Sequence, residues 1–334
     1  MNLQALSKIA TALVAPRKGI LAADESSNTI KKRFDSINVE STEENRKNYR
    51  EMLFTTDKVS EFISGIILFD ETMRQNGKDG SSLVSTITNT GIIPGIKVDK
   101  GAKPLAGSTS ETITEGLDGL RDRLHEYSEL GAKFTKWRGV ITIGDSIPTQ
   151  YCIKTNAHAL ARFATLSQEA DLVPIVEPEV LMDGAHDIDT CLSITELTLR
   201  EVYYELGCQN VALEGTLLKP NMVLSGKEAA HRADTEEVAA KTLDCLMNTV
   251  PSSVPGIVFL SGGQSDDEAT INLNSINKAA KNINAPWELS FSYGRGLQTA
   301  PLSQWKGVKN KAAQNSFYQR AKVTSAAREG AYRS

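Results

Sequence analysis

Val211-Ala212-Leu213-Glu214-Gly215-Thr216-Leu217-Leu218-Lys219-Pro220-Asn221-Met222 is a strand-like apolar run that stops at a proline and carries a lysine at its end. Burial on such a run disfavours an ammonium and favours the free amine. A free amine adds to carbonyls and forms a Schiff base. The plainer alternative is a strand-end lysine that reaches out to water. The run decides the fold because it has counterparts along the chain. Gly19–Asp24, Gly65–Phe69, Ile92–Val98, Phe134–Ile143, Leu172–Glu177, Gly256–Leu260 and Glu288–Tyr293 read the same way, and Val211–Leu218 makes them eight.

Amphipathic segments separate most of these strands. Ser41-Thr42-Glu43-Glu44 reads as a capping box that opens a helix through Phe54. Glu111–Leu130, Tyr151–Glu169 and Ile188–Leu206 read as helices, the first and third ending before Gly131 and Gly207. Asp234 caps a helix to about Met247, and Ser265-Asp266-Asp267-Glu268 caps another. Met73–Gly91 is polar and glycine-broken and reads as a connection.

Strands alternating with helices predict a parallel sheet with right-handed crossovers. Eight is the number that closes a (β/α)8 barrel. An open dinucleotide-binding sheet would place a glycine-rich turn after its first strand. Here that position reads Ala22-Ala23-Asp24-Glu25-Ser26. The fold expected is a single α/β (β/α)8 TIM barrel over residues 1–334. Residues 1–15 add an N-terminal helix, and 306–334 a C-terminal helix with a short tail. Leu3, Leu6, Ile9, Ala10 and Leu13 share one helical face, which outweighs a faint resemblance of Ile9–Ala15 to a secretory apolar core.

The net charge of the 334 residues is -4, which speaks against a nucleic-acid or membrane-surface binder. No stretch approaches the ~18 apolar residues of a membrane span. Cys152, Cys191, Cys208 and Cys245 are far apart, as for reduced thiols in a cytoplasmic protein. His125, His158, His186 and His231 are scattered without ligand spacing, so no metal and no cofactor is expected, and each reads as a surface or helix residue.

A barrel gathers its active site at the C-terminal ends of its strands. Those ends read Asp24, Glu71, Lys97 and Asp99, Lys136 and Arg138, Glu177 and Glu179, Lys219, Ser261-Gly262-Gly263, and Ser292-Tyr293-Gly294-Arg295. Residues two apart share a strand face, so Lys136 faces inward with Arg138, and Glu177 with Glu179. Internal ion pairs are the alternative reading, yet a core needs no such groups. The cluster suits carbonyl chemistry. Lys136 and Arg138 would favour the free amine of Lys219. Glu177 would move protons to and from oxygen, and Asp24 would take the proton of a substrate hydroxyl as a carbon–carbon bond breaks. The last two strand ends offer small residues, backbone N–H groups and Arg295 for an anion. Lys31-Lys32-Arg33 suggests a second anion site, and hence a substrate with a phosphate at each end.

In this order, from Lys18 to Trp305, these residues closely resemble the class I fructose-1,6-bisphosphate aldolases. The resemblance is carried by Gly19-Ile20-Leu21-Ala22-Ala23-Asp24-Glu25-Ser26, Gly95-Ile96-Lys97-Val98-Asp99-Lys100-Gly101, Lys136-Trp137-Arg138, Val176-Glu177-Pro178-Glu179, Gly215-Thr216-Leu217-Leu218-Lys219-Pro220-Asn221-Met222-Val223, Phe259-Leu260-Ser261-Gly262-Gly263-Gln264-Ser265 and Phe291-Ser292-Tyr293-Gly294-Arg295. It implies a homotetramer that cleaves fructose 1,6-bisphosphate reversibly to dihydroxyacetone phosphate and glyceraldehyde 3-phosphate, without a metal. By position, Lys219 would be the Schiff-base lysine, Glu177 the main acid and base, and Asp24 the acceptor of the C4 hydroxyl proton. Lys97, Lys136 and Arg138 would bind and polarise substrate, with Glu179 in support. Ser261, Gly262, Ser292, Gly294 and Arg295 would hold one phosphate. Lys32 and Arg33, after Ser26, would lie near the other.

The family's longer members end in a mobile tail with a terminal tyrosine that assists proton exchange. In this sequence Tyr332 stands third from the end, so slower exchange, or another group serving it, is expected. Other Schiff-base barrels, such as transaldolases or deoxyribose-phosphate aldolases, would fit Lys219 alone but need no second phosphate site. A scaffold protein would show a degraded site, which this sequence does not.

Overall fold

The computed structural model describes residues 1–308 and 311–333. Among the described residues ten strands occur in chain order: β1 (Gly19–Ala23), β2 (Ile63–Leu68), β3 (Ile93–Lys97), β4 (Ala102–Pro104), β5 (Thr112–Thr114), β6 (Phe134–Ile141), β7 (Val173–Val180), β8 (Leu217–Leu218), β9 (Gly256–Phe259) and β10 (Glu288–Tyr293). Eight close into a barrel in the order β1-β10-β9-β8-β7-β6-β3-β2, and β4 pairs with β5 as a separate hairpin. Neighbouring barrel strands are parallel. The helices are α1 (Leu3–Leu13), α2 (Ser27–Asp35), α3 (Glu43–Phe54), α4 (Asp70–Met73), α5 (Leu83–Asn89), α6 (Leu120–Glu129), α7 (Gln150–Glu169), α8 (Ile188–Cys208), α9 (Thr235–Thr249), α10 (Asp266–Asn282), α11 (Arg295–Trp305) and α12 (Lys311–Arg328).

Alternation along the strands divides the core in two. Leu21, Ile66, Ile96, Trp137, Val176, Leu218, Ile257, Phe259 and Phe291 belong to the layer shared with the helices. Ile20, Ala22, Ile67, Phe134, Val173, Ile175, Leu217 and Val258 pack together inside the barrel with Leu6, Ala10, Leu13 and Val14. The N-terminal helix α1 therefore plugs the barrel's floor. Its entry depends on glycines. A Cβ on Gly65 would stand 2.6 Å from Leu13 Cδ2, and one on Gly256 2.7 Å from Val14 Cγ1. Backbone and plug can approach this closely only where there is no side chain.

Parallel pairing fixes what stands opposite what. Between β6 and β7, Lys136 pairs with Ile175 and Arg138 with Glu177. The inner face thus changes from apolar to charged after Phe134 on β6 and after Ile175 on β7.

Several expectations need correction. Val211–Gly215 is not strand: Leu213–Gly215 is a turn of 3-10 helix, and only Leu217–Leu218 pairs. Glu111–Leu130 is not one helix, since Thr112–Thr114 forms a hairpin strand and α6 starts at Leu120. Met73–Gly91, read as a bare connection, contains the helix α5, and α4 ends at its first residue. The fifth strand runs past Glu177 to Val180, which places Glu179 on the sheet. Thr42 rather than Ser41 caps α3, accepting from Asn45 N at 3.1 Å. Helix α8 runs through Gly207, and Asn210 takes the left-handed conformation that ends it. Gly131 does occupy that position after α6, and Ser265 and Glu268 form a reciprocal capping box. The C-terminal helix expected over 306–334 is seen as α12; residues 309, 310 and 334 lie outside the described residues.

Candidate active site

Lys219 stands at the top of β8, 4% exposed, with its Nζ 3.1 Å from Glu177 Oε1. The other Glu177 oxygen lies 3.2 Å from Lys136 Nζ, which also stands 2.8 Å from Asp24 Oδ2 across the barrel. Asp99 lies 3.9 Å from Lys136 and 2.8 Å from Lys97. Arg138 pairs with Glu179 through Nε. Four cations and four carboxylates thus line the ring of strand ends, Lys136 standing among Asp24, Glu177 and Asp99 and Arg138 with Glu179 forming a separate pair; such pairing is how buried charge is tolerated.

The electrostatics follow from that order. Burial would raise the pKa of Asp24, but Lys136 and then Lys219 outweigh it and hold the carboxyl well below the usual range. Glu177 is also lowered: burial opposes the shift, and Lys136, Lys219 and Arg138 overcome it. For Lys136 burial favours the free amine, but Asp24, Glu177 and Asp99 raise its pKa above the ordinary lysine value. Asp24 and Glu177 are thus acceptors at neutral pH, and Lys136 is a fixed cation between them.

The ring forms one wall of a cavity of about 640 Å³. The loop after β9 supplies Ser261 and Gly262, the latter at φ +56°. The end of β10 supplies Ser292, followed by Gly294, while Arg295 donates to the Gly262 carbonyl and ties the two loops together. After β1, the strand that pairs with β10, Ser26 Oγ and Thr29 Oγ1 lie 3.1 Å apart on the first turn of α2, with Lys32 and Arg33 one turn further on. The neighbouring arginine is not remote from the first group of loops. A Cβ on Gly294 would stand 3.7 Å from Arg33 Nη2, so Arg33 borders both anion-binding stretches.

All fifteen expected positions line this cavity: Asp24, Ser26, Lys32, Arg33, Lys97, Lys136, Arg138, Glu177, Glu179, Lys219, Ser261, Gly262, Ser292, Gly294 and Arg295. Sequence reasoning gave no role to Asp99, Glu25 or Thr29, which line it too. Asp99 stands among the strand-end charges named from the sequence, two residues from Lys97 on one face, but carries no assigned role there. Thr29 is signalled only by its helical spacing from Ser26.

Two readings fail, those of Glu71 and His186, and the placement of Tyr332 agrees with the expectation that it does not serve the site. Glu71 does not point into the cavity; it turns outward in α4 to Arg46 and Arg50. His186 is neither on a helix nor at the surface: it is half-buried in the loop after β7, with both ring nitrogens unpartnered. Tyr332 is packed against the helical layer, and its N–H donates to Asn274 of α10 at 3.0 Å. Arg328, four residues earlier, pairs with Glu288 at the start of β10, so this part of the chain lies toward the opposite end of the barrel from Lys219. That placement argues against Tyr332 acting on a substrate bound there.

Among the described residues no group of three or more His, Cys, Asp or Glu side chains is placed to hold a metal ion. No described helix is long and apolar enough to cross a membrane.

A family model for class-I fructose-bisphosphate aldolase matches residues 5–334. A probable class 1 fructose-bisphosphate aldolase of Xanthomonas campestris is 56% identical over 336 residues and covers all of both chains. A cytosolic fructose-bisphosphate aldolase of Arabidopsis thaliana is 52% identical, over 98% of this chain and 93% of that one. The solved Plasmodium falciparum fructose-bisphosphate aldolase, in complex with TRAP and a small-molecule inhibitor, superposes with a TM-score of 0.97 at 47% identity, covering 99% of this chain and 96% of that one. The closed barrel, the ringed lysine and these matches lead to one conclusion: the chain belongs to the class-I fructose-bisphosphate aldolase family.

Proposed function

We propose that Lys219 is the nucleophile in the reversible cleavage of fructose 1,6-bisphosphate to dihydroxyacetone phosphate and glyceraldehyde 3-phosphate. Its amine adds to the C2 carbonyl to give a carbinolamine. Glu177, 3.1 Å away, transfers the protons that let water leave and the iminium form. Asp24 then takes the C4 hydroxyl proton, the C3–C4 bond breaks, and its electron pair moves into the iminium to give an enamine. Protonation at C3 and hydrolysis release dihydroxyacetone phosphate and restore the amine. Lys136 stabilises negative charge between Asp24 and Glu177 throughout. Lys97, Arg138 and Glu179 orient the substrate's oxygens.

The observation that carries this reading is the Lys219–Glu177–Lys136–Asp24 sequence of contacts, each within 3.2 Å. An amine, an acid–base group and a second base joined through one cation support this assignment of roles. With C2 at Lys219 on β8 and C4 at Asp24 on β1, the 1-phosphate falls to Ser261, Gly262, Ser292, Gly294 and Arg295. The 6-phosphate falls beyond Asp24, to Ser26, Lys32 and Arg33.

The chain works in this reading as one barrel domain, cytoplasmic like the relatives named cytosolic, and as a homotetramer. Exposed Leu197 and Tyr204 on α8 and Met247 on α9, helices that pack together, support an apolar face for a second copy.

Steady-state kinetics of Lys219→Met test the assignment. Cleavage falls by roughly 10⁴ or more, while the parent chain keeps its rate in excess chelator. A variant that retained even a few per cent of the parent rate would sink it.

A further inference from the structure

Beneath the loop that follows β1 lies a set of charges that the reaction does not use. Arg50 on α3 is fully buried. Its Nη1 donates to Thr72 Oγ1 at 2.7 Å and its Nη2 to the Glu25 carbonyl at 2.7 Å. Glu71, already held by Arg46, is 3.6 Å from it. The Glu25 carboxylate, also buried, accepts from Arg33 and from Gln298 Nε2 through Oε1. Its Oε2 has no hydrogen-bond partner and stands 3.9 Å from Arg50 Nη2; Arg50 Nε is likewise unpartnered.

Arg33 is therefore committed twice. It lines the substrate cavity, yet its guanidinium is engaged by a buried carboxylate. A phosphate that draws Arg33 away would strand Glu25 as an uncompensated buried charge, which is strongly unfavourable. A second guanidinium stands beside the free oxygen, beyond hydrogen-bond range but within a movement of about 1 Å.

We propose that Arg50 is a positioning residue that takes over the charge of Glu25 when Arg33 turns to a substrate phosphate. The cavity then keeps its charge balance in both states, and Arg33 is released at little cost. This rests on the reading of Arg33 as a phosphate ligand.

The test compares KM and kcat for fructose 1,6-bisphosphate, and inhibition by inorganic phosphate, in Arg33→Met, Arg50→Met, the pair of these together, and Glu25→Gln with Arg50→Met. Arg50→Met is expected to raise KM and the phosphate inhibition constant about ten-fold with kcat within about three-fold, and to add nothing to Arg33→Met. Neutralising Glu25 as well removes the need for a takeover, so Glu25→Gln/Arg50→Met returns KM to within about three-fold of the parent. Should Arg50→Met fail to fold, that double variant carries the test, and a KM still about ten-fold high in it overturns the proposal. A fall in kcat with KM unmoved in Arg50→Met, while Arg33→Met raises KM, overturns the role of Arg50 alone. An unchanged KM in Arg33→Met overturns the phosphate reading of Arg33 and the takeover with it.

Discussion

The two ends of the barrel are built from the same strands and solve opposite problems. The floor is apolar: Leu6, Ala10, Leu13 and Val14 meet Ile20, Phe134, Val173 and Leu217 with no ionisable group among them. The upper interior, two or four residues further along those strands, holds Asp24, Lys136, Glu177 and Lys219 within one network. The floor gains from removing apolar surface from water. The upper ring gains little stability from its ion pairs, since desolvation offsets their attraction, but it acquires groups whose charge is fixed in advance. The comparison separates where the fold's stability resides from where its chemistry does.

A substitution in the ring should therefore cost activity first. Lys136→Met leaves Asp24, Glu177 and Asp99 short of a cation, and kcat should fall by about 10³ or more, measured on enzyme shown to be folded by circular dichroism. A variant within ten-fold of the parent would break the comparison. A substitution in the floor should do the reverse. Leu13→Ala opens a cavity against the barrel and should cost about 2–5 kcal/mol in denaturant unfolding, with kcat of the folded enzyme nearly unchanged.

Acid should expose the ring next. Asp24 and Glu177 titrate below their ordinary values in the folded chain. Their contribution is complete above about pH 4, where the unfolded carboxylates are ionised, and is lost as pH falls through the lowered folded values. Lys136 is raised, so its contribution is complete below about pH 10 and is lost as pH rises through its folded value. Stability from the ring is then flat between those limits, and Asp24→Asn should have a shallower acid limb than the parent in unfolding free energy against pH. A parallel limb would show that Asp24 is not held by Lys136. The smallest effect belongs to the helix behind the phosphate loop: Ser265→Ala removes one half of the α10 capping box and should cost about 1 kcal/mol, read from the denaturation midpoint.

Much of this was legible because it is written in period two. Lys136 with Arg138, and Glu177 with Glu179, face inward because alternate residues must. The apolar runs that flank them mark strands buried on both sides. Where the sequence misled, local pattern lost to tertiary pairing. Val211–Gly215 is apolar enough for a strand, yet β8 pairs only through Leu217 and Leu218. The hairpin at Ala102 and Thr112 has strands of three residues, one of them fully exposed, so no periodicity betrays it. Arg50 reads as one more helical charge. Its burial, and its approach to Glu25 and Glu71, arise from how α3 packs under the first loop, which no local spacing encodes.

The most direct measurement is borohydride reduction of the enzyme with dihydroxyacetone phosphate, in the presence of chelator, followed by peptide mass mapping. A single reduced adduct on Lys219 is the result expected. An adduct on Lys136 or Lys97 instead, or full activity with no adduct on any lysine, would contradict Lys219 as the nucleophile.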